Sequence, residues 1–312
     1  MPQVSIILPN YNHSGFLDRR FRSIFNQTFK DFELIILDDC SLDSSREVIE
    51  QYRHEPRVSC IIYNEVNSGS TFKQWDKGIS LAKGAYIWIA ESDDFCEPTF
   101  LEELVPAFQQ NDRVAVAFCQ TLYVSTENRI TYKTHTDYLT EVIDGRKFLQ
   151  TKMLGTNTIG NASMTMFRKS MVDDHMGDYK KMKYCGDWLF WVNLCFKGDV
   201  YISGKYLNYY LRHDNNVASN ATRQGYDFIE GNQIYHIIKE KVNIRDADKE
   251  TALKQRVVEY LRKKDKFQDQ NIHKQVIALM HELDPRIDAI MRKMIRKEKV
   301  LNFMAALNKM LP

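Results

Sequence analysis

The 312-residue chain is 44% hydrophobic and 12% aromatic, enough to bury a full domain plus a smaller appendage and too apolar for a disordered protein. Its formal net charge of +2 leaves no surplus of Lys and Arg to neutralise a phosphate backbone, so no nucleic-acid partner is expected. No apolar run reaches the ~18 residues that span a bilayer, Met1-Pro2-Gln3-Val4 opens no signal-peptide pattern, and the six cysteines form no Cys-x-x-Cys pair, so a cytoplasmic protein with reduced thiols is expected.

Residues 1–120 alternate short β-like runs with helical patterns, the arrangement of an α/β fold in which helices cover a mostly parallel sheet. Val4–Leu8 predicts the first strand, Leu17, Phe21, Ile24 and Phe25 recur at helical spacing, and Phe32–Leu37 predicts a second strand ending at Asp38-Asp39. Ser44 with Glu47 three residues on predicts a capping box for a helix burying Val48, Ile49 and Tyr52, and the adjacent Asp43 reads as a capping residue. Val58–Tyr63 predicts a third strand. Phe72, Trp75, Ile79 and Ala82 then form a helical stripe with Gly84 at its C-terminal cap, before the run Ala85–Ala90 that ends in Glu91-Ser92-Asp93-Asp94. Pro98 suits the first turn of a helix that buries Leu101, Leu104 and Phe108, and Val114–Cys119 completes the alternation. Residues 121–220 are less regular, apart from a helical face of Trp188, Val192, Cys195 and Phe196 that opens at Asp187. From Tyr226 onward the chain is helical and charged. There Ile287, Ile290, Met291, Met294 and Ile295 share a stripe, and Arg292, Lys293, Arg296 and Lys297 supply positive charge that suits either an anionic membrane surface or a solvated face.

In sheets of this kind ligands bind outside the strand C-termini. Pro9-Asn10-Tyr11-Asn12, Asp38-Asp39 and Glu91–Asp94 all fall there. Carboxylates crowded at one strand exit repel one another unless a cation is present, which outlines a metal-and-phosphate site. An isolated Asp-Asp pair more often builds a turn, and it is the convergence of three exits that argues for a site. The segment Pro9–Gly15 contains no Gly-x-Gly-x-x-Gly, and no Gly-x4-Gly-Lys-Ser/Thr occurs, so a dinucleotide fingerprint and a P-loop are both excluded.

Val4–Asn12, Asp38–Asp43, Asn67-Ser68-Gly69 and Ile89–Asp94, in this order over residues 3–120, resemble the family 2 glycosyltransferases, inverting enzymes of the GT-A fold that include members from bacterial surface polysaccharide biosynthesis. The resemblance implies a nucleotide-sugar-binding half at 1–120, an acceptor-binding half at 121–222 and a C-terminal helical region at 223–312. It implies a nucleotide-diphosphate-sugar donor, with a UDP-sugar expected, contacted by Pro9, Tyr11, Asn12, Asp39 and Lys73. Glu91 and Ser92 would reach the ribose, and Asp93 a divalent cation, Mn2+ or Mg2+, with Asp38 and Asp94 as additional candidates. Where the family carries Asp-x-Asp this chain begins with Glu91, and where the family carries Glu-Asp before Trp it reads Gly186-Asp187-Trp188. Asp187 takes the place of the general base, with Trp188 beside it. Tyr209–His213 resembles a later segment in which His213 reaches the metal or diphosphate with help from Arg212, and Ser219 falls in a loop expected to close on the donor. The acceptor implied is the hydroxyl of a glycan or lipid-linked glycan, with peripheral membrane contact through the basic C-terminal helix. The departures at Glu91 and Gly186 keep a second reading open, a sugar-nucleotide-binding or scaffold protein without catalysis.

Overall fold

The computed structural model describes residues 1–134, 139–212 and 217–296. The chain divides into two units, one made of residues 1–148 and 159–216 and the other of 149–158 and 217–312.

The first unit opens with β1 (Val4–Asn10), α1 (Ser14–Phe25), β2 (Phe32–Asp38), α2 (Ser45–Glu50), β3 (Val58–Tyr63), α3 (Thr71–Leu81), β4 (Tyr86–Ile89) and β5 (Phe95–Cys96). It continues through α4 (Phe100–Gln110), β6 (Val114–Ser125), β7 (Ile130–Lys133), β8 (Glu141–Ile143), α5 (Gly145–Phe148), β9 (Thr165–Arg168), α6 (Gly186–Cys195) and β10 (Asp199–Arg212). These strands form one mixed sheet in the order β3-β2-β1-β4-β9-β6-β10-β5, with β7 on β6 and β8 on β10. β3, β2, β1 and β4 run parallel, as do β6 and β10, while β9 lies antiparallel between β4 and β6. Every residue of β1, β2 and β4 is buried, which is why these strands read as continuous apolar runs rather than as alternating patterns.

Several local expectations change for physical reasons. β6 continues past Cys119 to Ser125 because its second half pairs with β7 and β10, so the boundary expected at 120/121 falls inside a strand. The Ser44 side chain makes no capping bond; instead the Asp43 carboxylate accepts from Ser45 N at 3.0 Å and Ser14 N at 2.9 Å, so it serves the first turns of both α1 and α2. Gly84 does not cap α3, which ends at Leu81. A Cβ on Gly84 would lie 2.6 Å from Ser5 N, so the position is fixed by close approach of two backbones. Pro98 precedes α4 by two residues, and its carbonyl accepts from Thr28 N at 2.8 Å. α6 buries Trp188 through Val192 together with Leu194 and Cys195, a nearly all-round burial rather than a single face.

The second unit is helical, with α7 (Val217–Arg223), α8 (Tyr226–Lys241), α9 (Asp246–Lys263), α10 (Gln270–Leu283) and a further helix at 287–296. The boundary expected at 222/223 falls inside α7. Residues 149–158 belong here because Gly155 packs tightly on α9, where a Cβ would meet Ala252 Cα at 2.8 Å. Asp269 caps α10 by accepting from Asn271 N and Ile272 N. Among the described residues no helix is long and apolar enough to cross a membrane, and no disulfide joins the cysteines.

Candidate active site

The exits of β1 and β2 are stitched into one surface. Asn10 Nδ2 donates to Asp38 Oδ1 at 2.8 Å and to Ser41 Oγ at 3.2 Å. Asn12 N donates to Ser41 Oγ at 2.9 Å, and Asn12 Oδ1 accepts from Leu42 N at 2.7 Å. Both turns use the left-handed region at a non-glycine residue, Asn12 with φ 55 and Cys40 with φ 63, a cost that such tight exits impose. Asp38 is engaged here as the brace of the turn, accepting also from Ser41 N at 3.0 Å. Pro9 is buried within it, whereas Tyr11 stands 43% exposed at its rim.

Asp39 reaches the other way, into the loop before α3. Its carboxylate accepts from Asn64 Nδ2 at 2.6 Å, Gln74 Nε2 at 2.9 Å and Ser68 Oγ at 2.7 Å. That order continues through Asn67, whose Oδ1 accepts from Gly69 N at 2.7 Å; Gly69 has φ +71, a conformation glycine adopts at little cost. Lys73 is exposed and donates to Ser68 O at 3.0 Å.

The acidic run at the β4 exit is pinned along its length. Glu91 N donates to Ser163 Oγ at 3.0 Å, and Glu91 Oε1 accepts from Trp75 Nε1 at 2.9 Å. Ser92, nearly buried, shares a 2.8 Å hydrogen bond with His13 Nδ1, tying the run to the β1 exit. Asp94 is 1% exposed; its Oδ2 accepts from Asn161 Nδ2 at 2.8 Å, and its Oδ1 from Leu211 N at 3.3 Å. The second of these bonds brings the end of β10 to the acidic run. Arg212 follows, exposed over the Tyr123 ring at 4.9 Å, while His213 lies outside the described residues. Ser219 falls in α7.

Burial first, then the charge of half-buried Asp93, pushes Glu91 up to about 8, and the same two causes raise Asp94. The opposing cation is internal. Arg20 on α1 is fully buried, its Nη2 donates to Ser163 Oγ at 3.2 Å, and its guanidinium sits 4.9 Å over the Trp88 ring. The Arg20 charge acts against both shifts.

Asp187 lies in the first turn of α6, where the helix dipole favours a carboxylate. Gly186 before it has no room for a side chain: a Cβ would lie 2.5 Å from Tyr179 O and 2.6 Å from the Phe72 ring. Phe72 therefore packs where the family's Glu would begin. Trp188 is 4% exposed.

The donor chemistry suits a hard divalent cation, since the run offers carboxylate oxygens whose mutual repulsion such an ion relieves. Glu91 and Asp94 accept from Trp75, Asn161 and Leu211, and half-buried Asp93 lies between them in the run. Among the described residues no group of three or more His, Cys, Asp and Glu is arranged to cage a metal.

Sequence reasoning missed Trp75, Arg20, His13, Asn161 and Ser163 as members of this site. Trp75 reads only as part of the apolar stripe of α3, and Arg20 belongs to no apolar pattern on α1. Asn161 and Ser163 precede β9 in the irregular middle of the chain, where no periodicity marks them.

The model of glycosyl transferase family 2 matches residues 5–176, more than half of the chain. The poly(ribitol-phosphate) beta-N-acetylglucosaminyltransferase TarP of Staphylococcus aureus is 25% identical over 265 residues, covering 81% of this chain and 77% of its own. The putative teichuronic acid biosynthesis glycosyltransferase TuaG of Bacillus subtilis is 33% identical over 102 residues, 33% of this chain and 40% of its own. Several curated relatives are matched over 35 to 60% of their length. The crystal structure of S. aureus TarS 1–349 in complex with UDP-GlcNAc superposes with a TM-score of 0.66 at 19% identity, over 93% of this chain and 84% of that one, which shows the shared fold. From the matched model and the architecture together, the chain belongs to glycosyl transferase family 2.

Proposed function

We propose that the protein is an inverting glycosyltransferase that moves a sugar from a nucleotide-diphosphate-sugar donor to the hydroxyl of a glycan or lipid-linked glycan in cell-wall or surface polysaccharide biosynthesis. The observation that carries this reading is the double engagement of α3, whose Trp75 binds Glu91 while its Phe72 packs against Gly186, linking the acidic run to the turn that bears Asp187. A UDP-sugar is the first donor to try, because the TarS neighbour was solved with UDP-GlcNAc. The poly(ribitol-phosphate) and teichuronic acid in the names of TarP and TuaG support the polymer context.

In this reading exposed Tyr11 stacks on the base, and Asp39 holds the 64–70 loop against the nucleoside. Glu91 and Ser92 meet the ribose, and Lys73 the diphosphate. Asp93 would hold Mn2+ or Mg2+ together with donor phosphate oxygens, with His213 as a further ligand, and the ion when bound neutralises charge on the departing diphosphate. Asp187 takes the proton from the acceptor hydroxyl as that oxygen attacks the anomeric carbon from the face opposite the leaving group. A single displacement of this kind inverts the anomeric configuration.

Half-buried Met291, Met294 and Ile295 beside exposed Arg292, Lys293 and Arg296 support peripheral contact with an anionic cytoplasmic membrane face, where a lipid-linked acceptor would be met. The departures from the family pattern at Glu91 and Gly186 keep a second reading open, a binding protein without turnover. A panel of nucleotide sugars with and without Mn2+ tests the main reading by thermal stabilisation. A donor at 100 times its Kd stabilises the native state by about 2.7 kcal/mol. Failure of every nucleoside-diphosphate sugar to stabilise the protein contradicts both readings; binding without nucleotide release in the presence of acceptor glycans leaves the second.

A further inference from the structure

We propose that Trp75 is a positioning residue of the donor site, acting through Glu91: its indole N–H holds the carboxylate that meets the donor ribose. This rests on the transferase reading above and assigns a role to a residue that the pattern of α3 marks only as core.

Glu91 stands where the family has Asp, and its carboxylate reaches one methylene further. Left loose, that reach costs rotamer entropy whenever a ligand fixes it. The structure removes the freedom at both ends, since Glu91 N is held by Ser163 Oγ at 3.0 Å and Oε1 by Trp75 Nε1 at 2.9 Å. Trp75 itself is rigid. It is 1% exposed and packed edge-on against Phe72 at 5.4 Å and Phe190 at 5.9 Å, with Trp191 tilted at 5.9 Å. An indole has one N–H and no acceptor, so the packing that fixes the ring also fixes the direction of its single hydrogen bond. A bond of this kind, built before ligand arrives, leaves the second side-chain oxygen of Glu91 for a ribose hydroxyl.

The alternative is a core tryptophan that merely satisfies its buried N–H. The two differ in whether the loss of Trp75 travels through Glu91. UDP binding in the presence of Mn2+ is measured by calorimetry for the wild type, Trp75→Phe, Glu91→Asp and the double variant. Each single substitution is expected to weaken UDP about tenfold, the former by freeing the carboxylate and the latter by drawing it out of reach. The double variant should be no weaker than the worse single one, because both changes break the same bond. Effects that multiply to about a hundredfold, or a Trp75→Phe protein within twofold of wild type, overturn the proposal. Should Trp75→Phe not fold, the indole 1H–15N resonance of Trp75 decides: it should lose exchange protection in Glu91→Ala while other tryptophans keep theirs, and unchanged protection overturns the proposal. If wild-type protein binds no UDP or other nucleoside diphosphate, the transferase reading fails instead, and the resonance still reports whether the bond exists.

Discussion

Replacing Arg20 by Met should leave stability nearly unchanged at pH 6 and lower it at pH 8.5. Met keeps the aliphatic length of a side chain that is fully buried, so little packing is lost. The variant gives up the bond to Ser163 Oγ, about 1 kcal/mol, and the desolvated cation–π contact with Trp88, about 2 kcal/mol. Against this, Arg20 Nε and Nη1 have no hydrogen-bond partner among the described residues, and removing two such groups returns roughly 2 to 3 kcal/mol. These contributions nearly cancel, so the charge decides. At an effective dielectric of ~20 a charge pair beyond contact distance is worth about 2 kcal/mol, and Arg20 opposes the carboxylates of both Glu91 and Asp94. Glu91 is pushed up to about 8, so the native state holds a proton that the unfolded chain has released; stability therefore falls as pH rises from the ordinary carboxylate range through about 8. Loss of Arg20 steepens that fall. Urea denaturation without metal or nucleotide, followed by near-UV circular dichroism, should show Arg20→Met within about 1 kcal/mol of wild type at pH 6 and about 2 to 4 kcal/mol below it at pH 8.5. An equal loss at both pH values, or a larger loss at pH 6, would show that Arg20 is not the counter-charge to Glu91 and Asp94.

Gly186→Ala forces a Cβ to within 2.5 Å of a backbone oxygen, so it should destabilise by about 1 to 3 kcal/mol in urea and lower kcat by displacing Asp187. Asp43→Ala removes the acceptor for the first turns of α1 and α2, and should cost about 1 to 2 kcal/mol by the same assay with donor affinity reduced less than stability. Tyr11→Ala, at an exposed position, should leave Tm within a degree or two while weakening UDP by about 1 to 3 kcal/mol in calorimetry; an unchanged Kd would remove Tyr11 from the base contact.

The parallel core was legible because β1, β2 and β4 are buried on both faces and so read as unbroken apolar runs whose polar exits stand out. Those exits named the three groups of the candidate site, and Asp43 was readable as a cap from its place before a helix. What the sequence hid are choices made by contact. Trp75 lies 16 residues from Glu91 in a stripe that any core helix would show. Arg20 follows Arg19 on a helix and is buried because the acidic run needs a counter-charge, which no local pattern encodes. Gly84 and Gly186 are glycines for lack of space, with backbone or ring atoms at 2.5 to 2.6 Å from an added Cβ. The strand β9, antiparallel between two parallel sets, brings in Asn161 and Ser163 from a segment without periodicity.

The central claim is that Asp187 works as the base beside a donor grip centred on the acidic run. Release of UDP from a UDP-sugar donor in the presence of acceptor glycan, compared between wild type and Asp187→Asn, tests it most directly when paired with UDP affinity on the same preparations. The Asn variant should lose transfer by about 10^2 to 10^4 while its UDP Kd stays within a few-fold. Undiminished transfer by Asp187→Asn would contradict the role of Asp187 as the base.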